Sequence, residues 1–309
     1  MQRTISAKGL FFTFLAYFLW GILPIYWKLL DSIDSLHILA LRILLSLILV
    51  GIILLARKNY TWLMVLKEKK KAGILVPTAI ILSCNWGLYI WAVNSGHTLD
   101  ASLGYYINPL VSIVLGLIFY REHLKPLQWI AVAIAFIGVT ILTLLSGSLP
   151  WIPLALALTF GFYGLLKKKS PLPALESLGA ETLLSVPIAL VLLLFGLSGS
   201  PAHPVYTGLS GFEYLKNLPV YIWALLFLCG AFTMLPLYWF AHGAKQLPLS
   251  TLGFMQFVTP TIQFLLGLFA FGESFPPHHF AAFAIIWVAV IIYVISLSQN
   301  QRQAVITSP

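Results

Sequence analysis

Charge is scarce in this sequence, and acidic charge is the scarcest. Charged residues make up 9% of the 309 residues, and 9 carboxylates stand against 18 Lys and Arg. The three aspartates, Asp31, Asp34 and Asp100, all lie at the ends of hydrophobic stretches, which argues against an intramembrane aspartyl dyad. No G-x-S-x-G, H-E-x-x-H or phosphate-binding Gly-rich loop occurs, so the sequence does not predict an enzyme.

Cysteine is also rare. Cys84 and Cys229 both fall inside hydrophobic stretches and have no His or Cys neighbours at metal-ligand spacing. We interpret them as small packing residues. The sequence therefore predicts neither a metal site nor a cofactor.

Hydrophobic residues, in contrast, are abundant. They make up 60% of the chain and give a mean hydropathy of +0.94, which is more apolar sequence than one soluble core could bury. A helix of about 20 apolar residues crosses the hydrocarbon layer, and only backbone that satisfies its own hydrogen bonds is tolerated there. We predict an all-α membrane protein with about ten transmembrane helices. The predicted spans are 10–30, 36–55, 73–95, 101–120, 127–145, 151–167, 175–196, 219–241, 247–271 and 278–297.

The second half of the chain repeats the first. Leu115–Glu122 reads L-G-L-I-F-Y-R-E and Leu266–Glu273 reads L-G-L-F-A-F-G-E, with Pro109 and Pro260 ahead of them. Five spans per half is an odd number, so the two copies should have opposite orientations, as in carriers that alternate their access. The predicted units are a first five-helix repeat at 1–148, an inverted second repeat at 149–299 and a cytoplasmic tail at 300–309.

Basic residues are distributed unevenly between the two sides of the predicted membrane. With a cytoplasmic N-terminus, most Lys and Arg lie at cytoplasmic helix ends, including the run from Lys67 to Lys71 and the run from Lys167 to Lys169, whereas Lys216 lies outside. This positive-inside bias predicts that both termini are cytoplasmic. We interpret the basic run at Lys67 as an orientation signal beside anionic lipid headgroups, not as a nucleic-acid site.

Uncharged polar residues recur at helical spacing on a few spans. Asn85 and Tyr89 are four residues apart and Tyr105 and Asn108 are three apart, so each pair shares one helix face. Such faces should line an interior space, although hydrogen bonding between helices is the alternative. Together with aromatic walls, the predicted substrate-binding residues are Trp20, Asn85, Trp86, Tyr89, Tyr105, Asn108, Tyr163, Tyr238, Gln256, Thr259 and Gln263.

Two ionisable residues lie deep within predicted spans. They are Arg42 and Glu181, and a charge at such depth costs at least about 2.5 kcal/mol on insertion scales. Superimposing the halves places them at nearly equivalent positions, which predicts a charged intramembrane pair. Two interpretations stay open: a structural ion pair that locks the repeats, or one residue that faces a cavity and titrates or binds a charged substrate group.

Two prolines occupy equivalent spans. Pro109 and Pro260 each remove a backbone donor, so we predict helix kinks that line the same cavity.

Several motifs resemble those of a known family. They are Trp20-Gly21 with Pro24, Arg42, Asn85-Trp86, the block Ser102-Leu103-Gly104-Tyr105-Tyr106-Ile107-Asn108-Pro109, and Gly253 with Gln256 and Pro260-Thr261. With the ten-span layout they are similar to the RarD-like subgroup of the EamA-type drug/metabolite transporters, whose members are often labelled chloramphenicol-sensitive proteins. The resemblance implies a bacterial plasma-membrane permease that hydrolyses no ATP, with a central cavity between its halves.

The sequence thus predicts a secondary transporter, a permease or exporter of a small organic metabolite or drug-like solute that works by alternating access. The alternatives are an accessory or structural membrane protein that carries nothing and, with less support, an intramembrane enzyme. The predicted partners are a small-molecule solute and the lipid bilayer, without nucleic acid. Substrate identity, direction, coupling ion and oligomeric state are not determined by the sequence.

Overall fold

The structure, a computed structural model, describes residues 6–30, 33, 35–64, 67–94, 98–145, 151–194, 216–270, 272 and 277–306. Over these residues the chain is built from α-helices, which confirms the all-α prediction. The helices are α1 (Ala7–Lys28), α2 (Ser35–Ala56), α3 (Thr61–Met64), α4 (Lys69–Asn94), α5 (Thr98–Tyr120), α6 (Pro126–Leu145), α7 (Trp151–Lys169), α8 (Ala174–Leu194), α9 (Val220–Gln246), α10 (Leu249–Gln256), α11 (Val258–Phe269) and α12 (Pro277–Ile306).

Nine of the predicted spans have the length and hydropathy needed to cross a membrane in the described part of the chain. The exception is α7, which corresponds to the window 151–167. Its last turn carries Lys167, Lys168 and Lys169, which lower its hydropathy. Because α7 packs against α4, α5 and α9 within the bundle, its polar groups meet protein on several sides. That α7 crosses the membrane stays a prediction.

The surface of the bundle is apolar where a soluble protein would be polar. Large hydrophobic side chains are exposed along whole helix faces, for example Phe11, Phe14 and Phe18 on α1 and Phe136 and Ile137 on α6. Apolar surface of this extent needs a partner, and lipid hydrocarbon supplies one. The chain is therefore a multi-pass membrane protein.

The two predicted halves interlock instead of lying side by side. Helix α5 packs against α7 and α10, α1 against α9 and α11, and α2 against α8 and α9, so the main contacts cross the predicted boundary. Helices α2 and α8 are antiparallel: Gly179, near the start of α8, lies against Val50 and Leu54, near the end of α2. The boundary itself, at 148/149, lies outside the described residues.

The two prolines behave differently. Helix α5 continues through Pro109, whereas the predicted span 247–271 is divided at Phe257 into α10 and α11, three residues before Pro260. Proline lacks an N–H and cannot bond the carbonyl four residues earlier, which explains a break at that point. Tyr106 on α5 donates a hydrogen bond to the Pro260 carbonyl at 3.1 Å.

The helices that carry the repeated proline cross closely. A Cβ atom added at Gly253 on α10 would lie 2.6 Å from the Pro109 carbonyl oxygen, so only glycine allows this approach. At the far end of α5, the Glu122 carboxylate accepts the backbone N–H groups of Leu249 and Ser250 at 2.5 and 2.9 Å. Glu122 thus caps the first turn of α10 from a residue 127 positions away in sequence.

The last helix is longer than the predicted span. Helix α12 runs to Ile306, so the segment 300–309, predicted as a tail, begins as a continuation of α12. Its cytoplasmic placement stays a prediction.

Candidate functional site

A small cavity lies between helices of the two predicted halves, and we call it the chamber. Its volume is about 10 Å³, room for about one water molecule. Asn85 on α4 and Gly104, Tyr105 and Asn108 on α5 line one side, and Leu156 and Phe160 on α7 line the other. Three of the predicted substrate-binding residues, Asn85, Tyr105 and Asn108, therefore come together here.

The two asparagines of the chamber differ in their hydrogen bonding. The Asn85 amide donates to the Leu156 carbonyl at 3.0 Å and to the Thr159 hydroxyl at 2.7 Å, which ties α4 to α7. Asn108 is 2% exposed, and its Oδ1 has no hydrogen-bond partner in the described structure. An unpaired buried acceptor is costly, so Asn108 is the amide of the chamber that is available to a solute or water.

An aromatic cluster borders the chamber, and Phe160 belongs to both. Trp20 on α1 lies 5.8 Å from the rings of Phe160 and Phe240, and Tyr163 stacks on Phe240 at 5.7 Å with an interplanar angle of 17°. Tyr163 is fully buried, and its hydroxyl has no partner among the described residues. The predicted aromatic walls Trp20 and Tyr163 thus lie behind Phe160.

Arg42 is held between two indole rings beside the chamber. Its guanidinium carbon lies 4.9 Å from the centre of the Trp27 ring and 4.6 Å from that of Trp86, and Nε donates to the Thr233 hydroxyl at 3.0 Å. We call Arg42, Trp27, Trp86 and Thr233 the arginine cage. The two rings attract the cation through their quadrupoles without neutralising it.

The cage and the chamber share neighbours. Trp86 follows Asn85 on α4, and Tyr89, one turn further, packs edge-to-face on Tyr105 of the chamber at 5.7 Å. Tyr89 and Tyr105 also lie within electrostatic range of Arg42. Predicted residues Trp86 and Tyr89 therefore connect the charged group to the cavity.

The predicted pairing of Arg42 with Glu181 is wrong. Both Glu181 oxygens bind the Lys167 ammonium, at 2.7 and 2.8 Å, while Arg42 binds Thr233 on α9. The reason is geometric. Because α2 and α8 are antiparallel, two residues that are equally far from the starts of these helices lie towards opposite ends of the bundle. Arg42 and Glu181 occupy such positions, so their side chains do not meet.

The Lys167–Glu181 pair is fully enclosed, although the sequence predicts a cytoplasmic helix end for Lys167. The side chains are 0% and 2% exposed, and Ser177 bonds to both of them, at 3.1 Å from Lys167 and 2.8 Å from Glu181. In the sequence, Lys167 is one of three consecutive lysines at that helix end. A lysine-rich helix end gives no signal that one of its side chains turns inward.

The remaining predicted site residues lie mainly at helix contacts. Thr259 donates to the Tyr17 carbonyl at 2.8 Å and Gln263 to the Trp20 carbonyl at 3.3 Å, so both bind the backbone of α1. Gln256 is buried with its Oε1 unpartnered in the described structure. Tyr238 lies 6.3 Å from the His242 ring on α9. The interhelical interpretation fits Thr259 and Gln263, and the role of Gln256 and Tyr238 in binding stays a prediction.

Several residues of the site escaped the sequence analysis. Trp27 sits at a helix end, where an interfacial tryptophan is common, and Leu156 and Phe160 are ordinary apolar residues of a membrane helix. Thr233 carries no signal either, because its role depends on the rotation of α9 against α2. Of the three residues around Arg42 in the cage, only Trp86 was predicted as a site residue.

Comparison with known proteins agrees with this architecture. The model of the EamA-like transporter family matches residues 7–144. The uncharacterized transporter YojE of Bacillus subtilis is 43% identical over 306 residues, which cover 98% of each chain. Protein RarD of Escherichia coli is 37% identical over 304 residues, covering 98% of this chain and 99% of that one.

A more distant relative and a solved structure extend the comparison. The chloramphenicol-sensitive protein RarD of Pseudomonas aeruginosa is 31% identical over 293 residues, covering 93% of this chain and 94% of that one. A protein of known crystal structure has the same fold, with a TM-score of 0.70 at 17% identity, over 96% of this chain and 99% of that chain.

A bundle of apolar helices around a polar chamber, with relatives that are named as transporters, defines the class: this is a multi-pass membrane transporter of bacterial type. The chain belongs to the EamA-like transporter family, in its RarD-like group. Its partners are accordingly a small-molecule solute and the lipid bilayer.

Proposed function

We propose that the protein is a secondary transporter that moves a small organic metabolite or drug-like solute through the chamber by alternating access between two inverted five-helix repeats. One observation carries the proposal: the chamber is lined by α4 and α5 from one half and by α7 from the other. A cavity at the contact between halves changes its access when the halves rock against each other.

The size of the chamber supports a closed state. Pockets for drug-sized ligands usually have volumes of about 300–1,000 Å³, whereas the chamber has room for about one water molecule. A solute would therefore enter only after helices have separated. The aromatic and amide lining suits an amphipathic molecule.

The contact between α1 and α9 is where such a separation would occur. At one end, Ser6 donates to the Gln246 side chain at 2.6 Å. At the other end, Tyr26 donates to the Leu225 carbonyl, and its ring lies 4.7 Å from Phe232. Opening one end while the other stays closed would expose the chamber to each side in turn.

Cross-linking tests this mechanism directly. Cys84 and Cys229 are first replaced by alanine, and cysteine pairs are then introduced as Ser6→Cys with Gln246→Cys and as Tyr26→Cys with Leu225→Cys. We expect each disulfide to abolish solute flux in proteoliposomes and reduction to restore it. Unimpaired flux with either disulfide formed contradicts alternating access along α1 and α9.

The solute contact at Asn108 has its own test. Asn108→Leu removes the unpartnered acceptor at similar volume, so folding stability should not fall while flux should drop by roughly tenfold or more. Thr140→Ala on the exposed side of α6 serves as the matched control, with unchanged flux. If wild-type protein shows no saturable flux for a broad metabolite panel, the alternative of an accessory membrane protein is favoured.

Orientation completes the proposal. We place both termini in the cytoplasm, in a bacterial inner membrane, since most Lys and Arg then lie inside. With this orientation Arg42 and the chamber lie towards the outer side and Lys167 towards the inner side. Labelling of single cysteines introduced at Arg3 and Arg302 from the two sides tests the placement.

A further inference from the structure

We infer that Arg42 is the anion-binding subsite of the chamber and that the transported solute is an organic monocarboxylate with an aromatic or apolar body. This inference rests on the proposed transport function and specifies its substrate class. The first observation is that Arg42 has no counter-charge among the side chains that the structure describes. The carboxylates with described side chains have other partners: Lys71 for Glu68, Leu249 and Ser250 for Glu122, Asn59 for Glu176 and Lys167 for Glu181.

The second observation is an incomplete set of hydrogen bonds. The guanidinium has five N–H donors, and in the described structure only Nε has an acceptor, the Thr233 hydroxyl at 3.0 Å. The Trp27 and Trp86 rings lie 4.9 and 4.6 Å from its central carbon. The terminal nitrogens have no acceptor among the described residues, and their planar edge matches a carboxylate in a bidentate arrangement.

The two indole rings also restrict the orientation of the Arg42 guanidinium. A lone arginine on a membrane helix would turn towards the headgroups, but here two indoles and Thr233 hold it between α1, α4 and α9. Its side chain is partly buried. Pre-orientation of this kind lowers the entropy lost when a ligand binds.

The surroundings select the rest of the ligand. Tyr89 and Tyr105 connect the cage to the chamber, where Phe160 and Leu156 form an apolar wall and Asn108 Oδ1 is unpartnered. A solute whose carboxylate meets Arg42 would place an apolar or aromatic body against this wall. A donor group on that body would reach Asn108.

The single positive charge of Arg42 favours a carboxylate over a phosphate. Lys167, the buried lysine of the described part, is neutralised by Glu181, so among the described side chains Arg42 is the positive charge near the chamber that has no counter-charge. One positive charge matches a monoanion, whereas a phosphate dianion would remain under-neutralised in a region of low dielectric constant. We therefore assign a carboxylate and make phosphate an outcome of the test.

The experiment measures thermal stabilisation of the full-length purified protein, because a ligand that binds the folded state raises Tm with its concentration. The probes are acetate, phenylacetate and indole-3-acetate, the primary amide of each, inorganic phosphate and phenyl phosphate. We expect a saturable rise with an aromatic carboxylate and little or none with its amide. Equal responses to acid and amide, a larger response to phosphate or phenyl phosphate, or no response to any carboxylate would overturn the inference.

Variants assign the effect to Arg42. Arg42→Gln should weaken carboxylate binding by roughly tenfold or more, and Arg42→Lys, which keeps the charge without the fork, should be intermediate. Arg57→Gln makes the same substitution at the exposed other end of α2 and should bind as the wild type does. Carboxylate binding that is unchanged in a folded Arg42→Gln protein, or in Arg42→Lys if the first variant does not fold, contradicts the assignment.

Flux in proteoliposomes separates this inference from the proposed function. If the wild type transports neutral solutes saturably but binds no carboxylate, the substrate class is wrong and the transport function stands. If carboxylates bind through Arg42 but neither they nor neutral solutes are transported, the subsite stands and the transport function fails. Loss of carboxylate flux in Arg42→Gln, with normal carboxylate flux in Arg57→Gln, supports both.

Discussion

Arg42 and Glu181 occupy nearly matching positions in the two halves, and their surroundings differ in one respect. Glu181 has a complete set of partners, in Lys167 and Ser177, and the group is sealed from solvent. Arg42 has two indole rings and one hydroxyl as neighbours, and Tyr89 and Tyr105 connect it to the chamber. A buried charge with a full complement of partners is a structural element, whereas one without a counter-charge among the described side chains is available for a ligand.

The largest loss of stability is expected when Glu181 loses its charge and no longer neutralises Lys167. Glu181→Gln leaves the Lys167 ammonium buried without its counter-charge, which should lower the free energy of unfolding by about 3–5 kcal/mol. Denaturation in mixed micelles measures the loss. As a control, Glu68→Gln removes an exposed ion pair with Lys71 and should cost roughly 0–1 kcal/mol.

A double substitution tests whether the loss of stability arises from the unpaired Lys167 charge. Lys167→Met with Glu181→Leu replaces both charges by apolar groups and should recover most of the lost stability. If the double variant is as unstable as Glu181→Gln alone, the loss does not arise from the stranded lysine.

An intermediate loss of stability is expected at Glu122, because its partners are backbone N–H groups and a hydroxyl instead of a cation. Glu122→Ala removes the acceptor for the Leu249 and Ser250 N–H groups and should lower stability by about 1–2 kcal/mol, as loss of a helix N-cap does. Ser250→Ala, which removes only the hydroxyl that bonds Glu122 at 2.7 Å, should cost less. If Glu122→Ala left the free energy of unfolding unchanged, water would replace the carboxylate as the cap.

The smallest effect on stability is expected at Arg42. Arg42→Gln strands no buried counter-charge, so the free energy of unfolding should change by less than about 1 kcal/mol while carboxylate flux falls. The same denaturation series, run beside Glu181→Gln, measures it. If Arg42→Gln lowered the free energy of unfolding as much as Glu181→Gln does, the arginine cage would be a structural element. Arg42 and Glu181 would then have the same role.

Part of the site could be read from the sequence. Asn85, Tyr105 and Asn108 were found because polar residues at helical spacing share one face, and a polar face in a membrane helix has to turn inward. Thr259 and Gln263 gave the same signal but bind the α1 backbone. Spacing identifies the inward face of a helix, but not whether that face meets a cavity or a neighbouring helix.

The sequence by itself determined that the chain is all-α, spans a membrane many times and repeats a unit, because apolar length and periodicity are properties of each helix alone. Only the tertiary structure decided which charges are paired. The partner of Glu181 is Lys167 and not Arg42, since a partner is set by the depth and rotation of one helix against another. These quantities arise from packing between segments far apart in the chain, and no local pattern encodes them.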